Sequence, residues 1–100
     1  MKVILFRSRI RPGVDVNSYL EHANAMYEIA SKIPGFISSE DFTSADGERL
    51  AVITFRDDES LKRWREHAEH RAAQARGRTE YYETYKLQVC DLEREMSFPS

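Results

Sequence analysis

The side chains best suited to chemistry lie together: Trp64, the only tryptophan, followed by His67 and His70, two of the three histidines. Imidazole changes charge near neutral pH, so His67 is the expected general base or hydrogen-bond donor. Its plainer role is a half-buried histidine bonded to a backbone carbonyl. The His67-x-x-His70 spacing would also let two imidazoles on one helix share a metal. A third ligand would have to come from Glu66, Glu69, His22 or Cys90, and spacing fixes none of them.

Arg7 and Arg9 alternate with apolar residues at the end of a strand, where they could anchor an anionic substrate or form salt bridges at a subunit rim. Tyr81, Tyr82 and Tyr85 read as interface and barrel residues, and Tyr85 is also a phenol that could donate to a substrate oxygen. Cys90 has no partner and reads as inert packing. No glycine-rich phosphate loop, Ser-His-Asp pattern or cysteine pair is present, so nucleotide and flavin binding are not indicated.

The element that must position these groups is Leu61–Arg78. At about 100° per residue, Leu61, Trp64, Ala68, Ala72 and Ala75 form one helical stripe. Trp64, His67, Arg71, Gln74 and Arg78 form a row along its shoulder, which suits a cavity wall and equally an exposed salt-bridged face. On an unbroken helix His70 points nearly opposite the core. It joins a site only if the segment bends near Ala68-Glu69. Arg71, Arg76 and Arg78 read as a solvated face with Glu69 and Glu80.

The other elements follow in chain order. Residues 3–10, VILFRSRI, read as a strand with both faces beginning apolar. Pro12-Gly13 ends it, and Asp15 caps a helix over Val16–Lys32 whose stripe is Val16, Tyr19, Leu20, Ala23, Met26, Tyr27 and Ala30. Pro34-Gly35 stops that helix. Phe36–Thr43 and Leu50–Phe55 form a hairpin across Asp46-Gly47. Asp57-Asp58-Glu59-Ser60 starts the second helical region. Tyr81–Leu92 is a last strand with Tyr81, Tyr85, Leu87 and Val89 on one face, and residues 93–100 form a surface or partner-crossing tail.

The order β-α-β-β-α-β predicts a ferredoxin-like α+β fold: a four-stranded antiparallel sheet with both helices on one face. The second sheet face would stay wet in a monomer, so a homodimer pairing sheet to sheet is expected. One hundred residues suit a single domain. A net charge of −2 with interleaved acids and bases argues against nucleic acid. The apolar run in MKVILFRSRI is too short for a signal peptide, and no run suits a membrane span. With one cysteine, a cytoplasmic setting is expected.

These elements together resemble the antibiotic biosynthesis monooxygenase (ABM) domain family, a dimeric α+β barrel. The resembling marks are the Pro34-Gly35-Phe36 helix exit, the strand Leu50–Phe55 running into Asp57-Asp58-Glu59-Ser60-Leu61, and Trp64. His67, His70, the Ala73-Gln74-x-x-Gly77-Arg78 run and the long final strand complete them. The resemblance implies a pocket between the helices and the concave sheet face of each subunit.

Two branches of the family can be compared residue by residue. The haem-degrading branch uses an asparagine on the first strand, a tryptophan, and an iron-binding histidine about ten residues after it. Here Trp64 matches, but Ser8 and Gln74 occupy the other two positions, which speaks against that chemistry. The cofactor-free oxygenase branch asks only for a base, hydrogen bonds and a dry pocket, because the substrate carbanion itself reduces oxygen. The resemblance therefore implies a cofactor-independent monooxygenase acting on a small phenol- or quinol-type substrate with molecular oxygen. His67 would be catalytic, and Arg7, Tyr27, Trp64, His70, Gln74 and Tyr85 would bind substrate. The alternative is a non-catalytic dimer of the same fold that holds a small ligand, haem, or a divalent metal at His67 and His70.

Overall fold

The computed structural model describes residues 1–99; of the predicted tail, Ser100 lies outside them. Strand β1 (Lys2–Ile10) is central, between β3 (Arg49–Phe55) and the edge strand β4 (Tyr82–Asp91), with β2 (Phe36–Thr43) outside β3. All pairings are antiparallel in the order β2-β3-β1-β4, the ferredoxin-like arrangement. The sheet is open at β2 and β4, so the chain by itself does not close a barrel. In register, Ile4 sits opposite both Ile53 and Val89, which explains why it is fully buried.

Helix α1 (Val16–Ser31) begins as expected, with the Asp15 carboxylate accepting from the Asn17 N–H at 2.9 Å. It ends ahead of Gly35, whose φ of +95° suits only glycine without strain. A Cβ there would stand 1.8 Å from Ser60 Oγ. That serine donates to Asp57, which caps α2 (Asp58–Glu66) through the Ser60 N–H at 2.9 Å. The helix exit and the next helix start are thus packed as one corner.

The second helical region is not one helix. It breaks at His67, whose ψ of 125° is extended, and resumes as α3 (Ala68–Arg76). The expected stripe therefore holds only through Trp64: Ala68, Ala72 and Ala75 are exposed, and α3 turns His70 inward instead. Without this break a rigid helix of one period would have buried the alanines.

A π-helical turn over Gly77–Tyr81 then leads into β4, so Tyr81 is buried outside the final strand rather than alternating with Tyr85. A register shift between Arg9 and Ile10 accommodates this entry. Arg11 ties the turn down. Its guanidinium donates to the Tyr82, Thr79 and Arg78 carbonyls at 2.9, 2.7 and 2.7 Å, satisfying groups a helix end leaves open.

The core joins Ile4, Ala30, Ile33, Phe55, Leu61 and Trp64, with Phe36 and Ile53 against it. Fully burying Phe55 or Ile4 contributes roughly 1.5–3 kcal/mol each. On the other sheet face Val3, Leu5, Leu50 and Val52 are only half-buried, and Phe42 is 53% exposed. Cys90 is exposed rather than packed. No helix among the described residues is long and apolar enough to cross a membrane.

Candidate active site

A cavity of about 100 Å³ lies between the helices and the sheet. Its roof is a helical stripe of α1, Tyr19, Ala23, Met26, Tyr27 and Ala30, spaced as one face of a helix requires. Its floor follows the two-residue alternation of the strands: Phe6 and Ser8 of β1, Ala51 and Ile53 of β3. Trp64 closes one side from α2, and His70 and Gln74, one turn apart on α3, stand beside it. Because ψ of His67 is extended, α3 restarts in a new direction and aims His70 under the indole. The Trp64 and His70 rings lie 4.2 Å apart, and His70 is 2% exposed.

The electrostatics of this end follow from burial. Desolvation, with repulsion from His67 added, pushes the His70 imidazole down to about 4, so it is neutral at physiological pH. Its Nδ1 and the Trp64 Nε1 are buried and have no hydrogen-bond partner among the described residues. Buried polar atoms usually have one, so this pair of unmatched nitrogens at a cavity wall suits a ligand.

The opposite end of the cavity is polar. Tyr82, Arg49 and Asp41 line it together with Tyr19, while Ser39 lies across from Ile53, nearer Trp64. Tyr19 and Tyr82 are protonated at neutral pH like any phenol, and burial raises both further. The Arg49 guanidinium lies over the Tyr19 ring, 4.8 Å from its centroid.

Of the residues expected at a site, Tyr27, Trp64, His70 and Gln74 line this cavity, and Arg7, His67 and Tyr85 do not. The bend that admits His70 falls at His67 itself. His67 is half-buried at the helix break, and its Nδ1 has no partner among the described residues. Arg7 lies on the opposite sheet face, paired with Glu48 at 3.2 Å, and Arg9 pairs with Asp46 at 2.8 Å. Tyr85 packs on Phe6 with ring centroids 5.4 Å apart, one ring outside the cavity.

Sequence reasoning missed Arg49, Asp41 and Tyr82 as site residues. Arg49 shares its strand face with Ala51 and Ile53, and starting β3 at Leu50 concealed that. Tyr82 needed the register shift before β4, which no sequence pattern announced.

Ser8, Trp64 and Gln74, the positions compared with the haem degraders, do converge on the cavity. Glutamine is a poor iron ligand, and about 100 Å³, less than the roughly 150 Å³ cavity that admits benzene, is far too small for a haem. Among the described residues no group of three or more His, Cys, Asp or Glu could hold a metal ion.

The chain is of the ferredoxin-like α+β class, with a mostly apolar cavity between its helices and its sheet. Residues 1–76 match the family of antibiotic biosynthesis monooxygenases (ABM), and the chain belongs to that family. It is similar to the uncharacterized protein YqjZ of Bacillus subtilis, 35% identical over 80 residues that cover 80% of this chain and 70% of YqjZ. It is also 34% identical over 91 residues to the jasmonate monooxygenase ABM of Pyricularia oryzae, covering 89% of this chain but only 42% of that protein. In three dimensions it resembles a variant of SnoaB, a cofactor-independent oxygenase from Streptomyces nogalater. The TM-score is 0.82 at 11% identity, covering 99% of this chain and 97% of SnoaB. At that identity the likeness speaks for the fold.

Proposed function

We propose that this protein is a cofactor-independent monooxygenase that oxygenates a small phenol- or quinol-type ring in the cavity. The observation that carries the reading is His70: a neutral imidazole, buried under Trp64 at an apolar cavity wall, with Nδ1 unpartnered among the described residues. Membership in the ABM family supports it. His70 takes the reacting proton from the substrate, and the imidazolium so formed is stabilised by the anion it creates. The substrate carbanion gives its electrons to molecular oxygen and forms a carbon–oxygen bond. One oxygen atom stays in the product and the other leaves as water, with two hydrogens lost from the substrate. The residues supply the base, the hydrogen bonds and the exclusion of water. His67 acts on His70 through its position at the helix break.

The reading includes a homodimer in a cytoplasmic setting. The half-buried Val3, Leu5, Leu50 and Val52 face, with exposed Phe42, is the apolar surface a second copy would cover. A monomeric mass at micromolar concentration would remove that part.

The test is oxygen uptake across a panel of phenols and quinols, with labelled dioxygen. Uptake with one labelled oxygen atom per product is expected from metal-free, colourless protein. No uptake and no label across the panel would reject the oxygenase.

A further inference from the structure

Arg49 is the cation the cavity leaves unspent. Arg7, Arg9, Arg56, Arg63, Arg76 and Lys2 are held in ion pairs, and Arg11 is held by backbone carbonyls. Arg49 has no carboxylate within 4.0 Å among the described residues, although it is half-buried and lines the cavity. Its contact is the Tyr19 ring, which orients the guanidinium without neutralising it. Asp41 is the acidic neighbour on that wall; it is exposed and makes no ion pair with Arg49.

Two further facts give this cation a use. Tyr19 and Tyr82 are phenols, protonated at neutral pH with or without burial, so the same wall presents neutral O–H donors beside a fixed positive charge. Tyr19 and Arg49 also line a second, groove-like space of about 560 Å³ with Arg9, Thr43, Asp46 and Glu83. Arg49 therefore stands where the apolar cavity meets a wet groove. An anion placed there keeps part of its hydration while its ring is buried, which limits the desolvation cost.

We infer that the ligand of this cavity is a single-ring compound carrying an anionic oxygen, a carboxylate or a phenolate, which Arg49 binds at the junction with the groove. Tyr19 and Tyr82 assist as donors, and the ring points toward Trp64 and His70. Arg49 is thus a specificity-determining residue for the proposed oxygenation. The inference rests on that reading's placement of substrate in the cavity.

Binding to the full chain under argon tests it apart from turnover, with Trp64 fluorescence as the readout. The probes are benzoate, its neutral isostere benzamide, and 4-nitrophenol, whose absorption reports ionisation. Benzoate binding at least tenfold tighter than benzamide identifies a carboxylate. A bound 4-nitrophenol held as the phenolate, with no benzoate binding, identifies a phenolate. In either case Arg49→Gln collapses the preference and Arg49→Lys keeps part of it. Benzamide binding as well as the anions, none of the probes binding, or an unchanged preference in a folded Arg49→Gln overturns the inference. Selective anion binding without oxygen uptake would instead reject the oxygenase and leave Arg49's role standing.

Discussion

The indole of Trp64 and the imidazole of His70 stack with centroids 4.2 Å apart and planes tilted by 39°, although a helix break separates them in the chain. That contact helps enclose His70, whose burial keeps it neutral, and its Nδ1 has no hydrogen-bond partner among the described residues.

If His70 is the base, His70→Phe keeps an aromatic ring against Trp64 and removes the proton acceptor. Oxygen uptake should fall by roughly 10²–10⁴-fold, while stability holds or rises because an unpaired buried nitrogen is gone. His67→Ala should lose far less. Full turnover in His70→Phe, measured on the best substrate of the panel, would end His70's role.

Acid should destabilise the fold in a defined window. Unfolded, His70 takes its proton near 6.5, but folded only near 4, so between these values the unfolded chain holds more protons. This stability is complete above about pH 6.5 and is lost as pH falls toward 4. His22, lowered by burial, acts in the same direction. Melting temperatures from pH 7 to 4.5 should fall steadily, and less steeply in His70→Phe. An equal fall in both proteins would place the proton uptake elsewhere.

Gly35→Ala should cost at least about 2–3 kcal/mol. The new Cβ would meet Ser60 Oγ at 1.8 Å and would sit at a φ of +95°. Urea unfolding reads this directly, and a midpoint equal to wild type would refute the tight corner between α1 and α2.

Gly77→Ala separates folding from binding. Gly77 has helical geometry, with φ −56°, so alanine suits its backbone, yet its Cβ would come within 2.6 Å of the Tyr82 ring. Tyr82 lines the cavity and must give way. The overpacking of about 1–3 kcal/mol, offset by the roughly 1 kcal/mol that alanine gains over glycine in a helix, should lower the melting temperature by roughly 0–15 °C, and ligand binding should weaken roughly tenfold. Unaltered binding would show that Tyr82 does not shape the site.

Arg11→Met should lower stability by about 1–2 kcal/mol, because three carbonyls around the π-helical turn lose their donor. Arg11→Lys should recover little, since an ammonium cannot span all three as the planar guanidinium does. Denaturant midpoints equal for wild type and Arg11→Met would discount this tether.

The element order and much of the site were legible in the sequence because local rules govern them. Asp15 and Asp57 announced helix starts, Pro34-Gly35 a stop, and Asp46-Gly47 a hairpin. The α1 stripe gave Tyr19, Ala23, Met26, Tyr27 and Ala30, all of which line the cavity. The amphipathic pattern put Trp64 on the core stripe, and only the family resemblance placed it at the cavity it lines. Tertiary structure decided the rest. A single extended ψ at His67 turned His70 inward and the alanines outward, and periodicity cannot foresee a break between two helix-forming stretches. Ion pairing decided which of the three sheet arginines has no carboxylate partner among the described residues: Arg7 and Arg9 met Glu48 and Asp46 across strands, and Arg49 met an aromatic ring. Such partners are far apart in the chain, so only the folded sheet could choose between them.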